Sequence, residues 1–215
     1  MTAAHVVVKQ KSVIYQGVEI TQIVNRVFNS CTYVLTHDGR SWLVDCGDVE
    51  PVLAQVDGNL SGVLLTHAHF DHIYGLNRLL TVFPDVPVYT NREGLEGLMS
   101  DKLNFSRYHE EPFILAEPGN ARLVDDGEIV MLFEGINAQA IATPGHSPAC
   151  ITWIVEDALF TGDSYIPGIK TVTNFPHSDK MLARESEERI RRLARDRRIY
   201  PGHAPQDETI TNQII

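Results

Sequence analysis

Cysteine is scarce in this sequence. Cys31, Cys46 and Cys150 are the only three, widely spaced and with no CxxC pair. An odd, scattered set excludes a disulfide framework and a thiolate metal cluster, and reads as small buried hydrophobes. Long apolar runs are missing too. Nothing approaches the roughly 18 consecutive apolar residues of a membrane span, so no membrane partner is expected. The start, Met1-Thr2-Ala3-Ala4-His5, lacks the basic and apolar stretches of a secretory leader, giving a cytoplasmic expectation. Positive charge is also short, with 18 Lys and Arg against 28 Asp and Glu and a formal net charge of −10. Nucleic-acid binding calls for a net basic face, so no nucleic-acid partner is expected.

What is present is ordinary globular material: 215 residues, 43% hydrophobic and 21% charged. No linker or repeat divides it, and a single domain over 1–215 is the expectation. One basic run, from Arg189 to Arg198, holds six arginines. Glu185, Glu187 and Glu188 precede it, which suits a helix acidic at its start and basic at its end.

Periodicity predicts strands at 6–8, 12–15, 18–24 and 32–36. A turn at His37-Asp38-Gly39-Arg40 leads into a strand at 41–44. A short helix over 51–56, a buried strand at 62–65, a helix over 71–83 stopped by Pro84 and a strand at 86–90 follow. The pattern then gives a helix over 94–105, a loop over 107–119, and strands at 128–133, 138–142, 150–155 and 158–161. A long loop at 164–180 leads to a helix over 184–197, a strand at 199–200 and a polar tail. Two β-rich halves, each with helices, predict two sheets between helical layers in an α/β (α+β) fold.

Chemistry concentrates in the loops that end these strands. The densest is Thr66-His67-Ala68-His69-Phe70-Asp71-His72. His67 and His69 alternate in an extended stretch and point the same way. Asp71 and His72 open the following helix, where a carboxylate is favoured by the dipole. His146, Asp163 and His203 each follow a strand and sit beside a glycine. Five imidazoles and two carboxylates suit borderline divalent metals such as zinc, with iron or manganese as alternatives. Seven ligands exceed one tetrahedral site, so two metals are expected. Ser147 and Ser164 are not read as nucleophiles.

The order Asp45, His67-x-His69-x-Asp71-His72, His146, Asp163, His203 resembles the five-motif signature of the metallo-β-lactamase fold superfamily. The resemblance runs from about residue 20 to 206 and implies a four-layer αββα sandwich with a dinuclear site at one sheet edge. It implies that His67, His69 and His146 hold one metal and Asp71, His72 and His203 the other. Asp163 would bridge them, and Asp45 would orient a ligand histidine from behind. It also implies hydrolysis by a metal-bridging hydroxide, with Asp71 steering it or relaying its proton.

A bridging aspartate at 163 fits the hydroxyacylglutathione hydrolase (glyoxalase II), lactonase, phosphodiesterase and RNase Z branches. True β-lactamases usually carry cysteine or serine there. Spacings of 17 residues from His146 to Asp163 and 40 to His203 look most like glyoxalase II-type thioesterases. With few residues after His203, the C-terminal helical domain that grips glutathione in that family is not expected here. The loop 165–170 also lacks the glycine- and cysteine-bearing pattern of that family, so glutathione is disfavoured. The expectation is therefore a thioesterase or esterase acting on a small, anionic molecule. Candidate substrate contacts are Tyr165, Lys170 and Asn174 after Asp163, and Tyr108 and His109 in the loop 102–109, with Asn104, Ser106 and Arg107 beside them. His177 could reach the substrate from the second long loop. An RNase Z-type phosphodiesterase and a non-catalytic metal-binding regulator are the alternatives, and oligomerisation is left open.

Overall fold

The computed structural model describes residues 7–8, 13–14 and 17–204. His5, the outer residues Val6, Ser12 and Tyr15 of two expected strands, and the polar tail beyond residue 204 lie outside the described residues. The first sheet contains β1 (Val7–Val8), β2 (Val13–Ile14), β3 (Val18–Val24), β4 (Cys31–His37), β5 (Arg40–Val44), β6 (Leu60–Leu64), β7 (Val88–Thr90) and β8 (Ala121–Leu123). Its order is β1-β3-β4-β5-β6-β7-β8, with β2 also paired to β3. The second sheet contains β9 (Ile129–Phe133), β10 (Ile136–Ala142), β11 (Ile151–Val155), β12 (Ala158–Gly162) and β13 (Arg198–Pro201), in the order β13-β12-β11-β10-β9.

Hairpin connections keep β3, β4 and β5 antiparallel, whereas β5 to β8 run parallel. Parallel pairing needs crossovers, and helices supply them. These are α1 (Val49–Leu53), α2 (Phe70–Ile73), α3 (Leu76–Val82) and α4 (Arg92–Leu98). In the second sheet α5 (Lys180–Leu193) makes the one crossover, from β12 to a parallel β13. The result is a four-layer sandwich, helices outside and two mixed sheets within.

The side-chain period of two sorts each central strand between two cores. Tyr33, Leu35, Trp42, Val44 and Leu64 face the second sheet, where they meet Val130, Leu132, Ile136, Trp153 and Phe160. The intervening Val34, Leu43, Val63 and Leu65 face the helices, against Val52, Ile73, Leu76, Leu79 and Leu98. Near-continuous apolar runs such as Val63-Leu64-Leu65 are what a doubly covered parallel sheet demands. The two indoles cross between the sheets: Trp42 Nε1 donates to the Leu132 carbonyl at 2.8 Å and Trp153 Nε1 to that of Leu65 at 2.9 Å. Gly62 makes room for the first, since a Cβ there would come within 2.1 Å of the Trp42 ring.

Several boundaries differ from the sequence pattern, each for a local reason. The helix expected over 71–83 is split into α2 and α3 at Tyr74-Gly75, because the loop after β5 docks into the gap. Cys46 N donates to the His72 carbonyl at 2.8 Å and Gly75 N to the Cys46 carbonyl at 3.1 Å. The helix expected over 94–105 ends at Leu98, whose carbonyl is taken by Leu115 N, while Asn104 Nδ2 takes that of Gly97. α1 begins earlier than expected, and β8, three residues long, carries no pattern to find it. α5 begins at Lys180 because Asp179 caps the Met181 and Leu182 amides. Its charges pair on an exposed face, as in Arg191 with Glu187 at 2.8 Å. All three cysteines are free and buried, as expected.

Trp42→Phe removes a buried donor and with it the hydrogen bond to the Leu132 carbonyl, at a cost of about 1–3 kcal/mol. Urea unfolding should show a lower midpoint at unchanged slope. An unchanged midpoint would show that the indole bond does not help hold the sheets together.

Candidate metal centre

The ligand-type side chains all follow the C-terminal ends of strands: Asp45 after β5, His67 to His72 after β6, His146 after β10, Asp163 after β12 and His203 after β13. β5 and β6 run parallel, as do β12 and β13, so these ends gather along one edge. Hydrogen bonds between the sheets fix that edge. Ile151 N donates to the Thr66 carbonyl at 2.7 Å, Cys31 N to that of Gly202 at 2.7 Å, and Tyr33 Oη to that of Pro201 at 2.7 Å.

Asp45 adopts a left-handed backbone conformation, φ 58°, which aspartate tolerates better than most residues. From there its carboxylate accepts the Thr66 amide and hydroxyl, both at 2.7 Å, and lies 2.9 Å from His72 Nδ1. The Thr66 hydroxyl in turn meets His67 Nδ1 at 3.1 Å. Backbone carbonyls hold two further rings, His146 Nδ1 on Val172 O and His203 Nδ1 on Phe28 O, each at 2.9 Å. With Nδ1 engaged outward, Nε2 of these four imidazoles is left facing inward. Gly202 permits the close approach, because a Cβ there would lie 2.1 Å from Asp163 Oδ1.

Donor atoms converge in three overlapping groups, each spanning no more than 4.8 Å: His67, His69 and His146; Asp71, His72 and His203; and His67, His72 and Asp163. The third joins the first two. Asp163 Oδ2 lies 3.4 Å from His146 Nε2 and 3.2 Å from His203 Nε2, and Asp163 Oδ1 lies 3.5 Å from His72 Nε2. Asp71 Oδ2 stands 3.4 Å from His72 Nε2 and 3.3 Å from His203 Nε2. His67 Nε2, His72 Nε2 and Asp163 Oδ1 are buried without a hydrogen-bond partner. Buried polar atoms are almost always satisfied, so three orphans aimed at one point fit cations with nitrogen and oxygen ligands.

The electrostatics agree. Burial holds the His69 imidazole down at about 3 and His67 well below its ordinary value, so both are neutral donors at pH 7. Burial opposes charge on His72 as well, yet Asp71, Asp163 and Asp45 raise it to about 10. His203 is also raised against its burial, chiefly by Asp163. Asp163, despite burial, is held well below the carboxylate range by His72 and His203.

A cavity of about 330 Å³ opens onto the cluster. His69, Asp71, His146, Asp163 and His203 form its floor, and Phe28, Phe70, Phe105, His109, Val172 and Phe175 its walls. Phe28 and Phe105 both have left-handed backbones, φ 55° and 64°. For bulky side chains that conformation costs on the order of 1–3 kcal/mol, and it persists where surrounding structure enforces it. Around Phe105 the enforcement is visible. Asn104 is fully buried, its Nδ2 donating to the Gly97 and Phe113 carbonyls and its Oδ1 accepting from Ser106 N, while its carbonyl accepts from Phe70 N.

Of the candidate substrate contacts, His109 lines this cavity. Tyr165 is buried with the Arg191 guanidinium 4.8 Å above its ring. Lys170 lines a separate cavity along α5, Tyr108 is 92% exposed, and Asn174 is exposed and absent from the cavity wall. The loop 102–109 does overhang the cluster, but through Phe105, while Asn104 and Ser106 hold it in place. Arg107 turns to Asp101 at 3.0 Å, and His177 lines a neighbouring cavity with Glu93 and Glu96. The wall phenylalanines were not singled out in the sequence. The one signal was Phe70, inside the histidine motif itself.

Comparison with known proteins places this geometry. A curated relative, the probable metallo-hydrolase YqgX of Bacillus subtilis, is 29% identical over 154 residues, covering 70% of this chain and 72% of that one. The hydroxyacylglutathione hydrolase of Salmonella arizonae is 34% identical over 140 residues, covering 63% of this chain but 47% of that enzyme. Among solved structures, BLEG-1 B3 metallo-beta-lactamase superposes with a TM-score of 0.78 at 27% identity, covering 86% of this chain and 92% of that one. TTHA1623 in a di-iron-bound form, at 24% identity with a TM-score of 0.70 over 86% of this chain and 92% of that one, shares the fold. The family profile matches residues 25–203, from the loop after β3 to the last histidine of the cluster, and the chain belongs to the metallo-beta-lactamase superfamily.

Proposed function

We propose that the protein is a dinuclear metallohydrolase that cleaves a small thioester or ester. The observation that carries this reading is the donor set: two triads of ligand-type atoms joined through Asp163, with three buried donors lacking any other partner. His67, His69 and His146 would hold one cation, Asp71, His72 and His203 the other, and Asp163 both. Two divalent cations there supply Lewis acidity, polarising the scissile carbonyl and making water nucleophilic at neutral pH. The donor set is all nitrogen and oxygen, which suits zinc first and also admits iron or manganese.

The chain's own residues do the rest. Asp45 and Thr66, with the Phe28 and Val172 carbonyls, fix the ligand rings so that little reorganisation accompanies reaction. Asp71 lines the cavity and is placed to accept a proton and return it to the departing sulfur. Water adds to the carbonyl carbon and the C–S bond breaks, giving a carboxylate, a thiol and one proton. The hydroxyacylglutathione hydrolase relative supports the thioester over the phosphodiester reading.

Gently purified protein should carry about two metals per chain and hydrolyse members of a panel of small thioesters, S-lactoylglutathione among them, at rates abolished by chelation and restored by metal. Less than one metal per chain, unrestored by zinc, iron or manganese, would sink the dinuclear reading. Turnover of bis(p-nitrophenyl) phosphate but of no thioester would move it to the phosphodiesterase branch.

Asp45→Asn keeps a residue that tolerates the left-handed backbone but removes the charge behind His72. Metal affinity should fall on the order of 10–100-fold with the circular dichroism spectrum unchanged. An unaltered titration would mean that Asp45 supports the fold alone.

Metal uptake should also release protons. In the metal-free protein His72, raised to about 10, is protonated at neutral pH, whereas a metal takes the neutral imidazole. Apparent affinity should therefore strengthen between pH 6 and 8 by roughly tenfold per released proton per pH unit. Calorimetry in buffers of different ionisation enthalpy counts those protons, and a count of zero would show that His72 is already neutral in the metal-free protein.

A further inference from the structure

Resting on the hydrolase reading just given, we infer that the acyl half of the substrate is uncharged and aromatic or branched-apolar, held in a slot between Phe105 and Phe175 on one side and Phe28 and Phe70 on the other. Phe105 and Phe175 pack on each other with ring centroids 5.2 Å apart and stand against His69 at 4.9 and 5.6 Å. Phe175 also reaches His146 at 5.7 Å. This pair walls the first triad. Phe70 lies against His109 at 4.1 Å, and Phe28 meets the same ring edge-on at 6.5 Å while its carbonyl holds His203. That group walls the second triad.

Phe70 packs partly against the helix-side core, but core packing does not account for the other three rings. Phe28, Phe105 and Phe175 belong to neither hydrophobic cluster of the fold, and Phe28 is 70% and Phe175 40% exposed. Exposed aromatics scattered singly mean little, but four around one cavity, two of them on left-handed backbones, form a built wall. Among the described residues no lysine or arginine lines the cavity, so away from the cations held at its floor no side chain on its walls offers a full charge to a substrate carboxylate. Lys170, the cation expected to do so, faces the other cavity. The space of about 330 Å³ lies at the small end for ligand pockets, enough for a compact acyl group over the metals. Aromatic rings around the space favour a ring or branched chain by apolar contact, and burying a charged acyl group there without a partner is costly.

The test is acyl selectivity with the thiol held constant. Acetyl, isovaleryl, phenylacetyl and succinyl thioesters of N-acetylcysteamine are compared on the metal-loaded protein. The phenylacetyl or isovaleryl ester should exceed the succinyl ester in kcat/KM by a hundredfold or more. Phe28→Ala and Phe175→Ala, at exposed positions where folding is not at issue, should each cut the phenylacetyl-to-acetyl ratio by tenfold or more. Succinyl turnover equal to or above phenylacetyl, or a ratio unmoved in both variants, would overturn the proposal. A second arm is independent of turnover. Saturation-transfer NMR on the metal-free protein should show phenylacetate held at least tenfold more tightly than succinate, and the preference should fall in Phe175→Ala. No thioester turnover together with that binding preference would remove the thioesterase reading and keep the apolar slot. Equal binding of the two acids would remove the slot whatever the enzyme cleaves.

Discussion

Asp45 sits where the backbone turns left-handed at the end of β5, and its carboxylate is shared between the Thr66 amide, the Thr66 hydroxyl and His72 Nδ1. A buried carboxylate is tolerable when it is fully engaged in this way, and ruinous when it is not. The engagement joins the end of β5 to the loop after β6 and continues through Thr66 to His67 Nδ1. Thr66 also gives its carbonyl to Ile151 of the second sheet, so one residue ties the metal motif, the strand behind it and the opposite sheet together. The position of the cluster and the joining of the sheets therefore rest on the same small group of atoms.

Five imidazoles and two carboxylates held this close make a poor bargain for an empty site. His67 has ring centroids of His72, His69 and His146 within 4.3 to 5.2 Å, and its own Nε2 goes unpaired. Such an arrangement is unfavourable in isolation and becomes favourable once cations supply the missing partners, which links metal binding to the stability of this edge. The outward anchors explain why the rings do not turn away. Asp45, Thr66, Val172 and Phe28 each hold an Nδ1, fixing the tautomer and leaving Nε2 directed inward.

The side chains that the structure gathers into this cluster were legible in the sequence, because metal chemistry restricts residue type and strand ends restrict placement. His67-x-His69-x-Asp71-His72 needs no tertiary knowledge to stand out, and the glycines beside His146, Asp163 and His203 mark the turns that carry them. Apart from β8, the described strands of both sheets were legible from alternation and apolar runs. The broken helix at Tyr74-Gly75 was not, because the cause is Cys46, distant in sequence and donating to a carbonyl that a continuous helix would use. The substrate wall was invisible for a related reason. Polar residues after Asp163 looked suited to a ligand, yet loop geometry sent Lys170 to α5 and Tyr165 under Arg191. Phe105 and Phe175 read in the sequence as core residues, and only the left-handed backbone of the first and the exposure of the second reveal otherwise.

The loops that wall the cavity are also the loops that aim the ligands. Phe28 offers its ring to the cavity and its carbonyl to His203, Val172 its side chain to the cavity and its carbonyl to His146, and Asn104 braces Phe105 while accepting the Phe70 amide beside the histidine motif. Substrate wall and metal orientation therefore share backbone atoms and cannot drift independently. A loop rebuilt for another acyl group must still present a carbonyl to the same imidazole nitrogen, which confines variation to side chains and to the loop beyond that carbonyl. This division lets one metal edge serve many substrates, because the fold fixes the chemistry while the shape of the wall sets the choice.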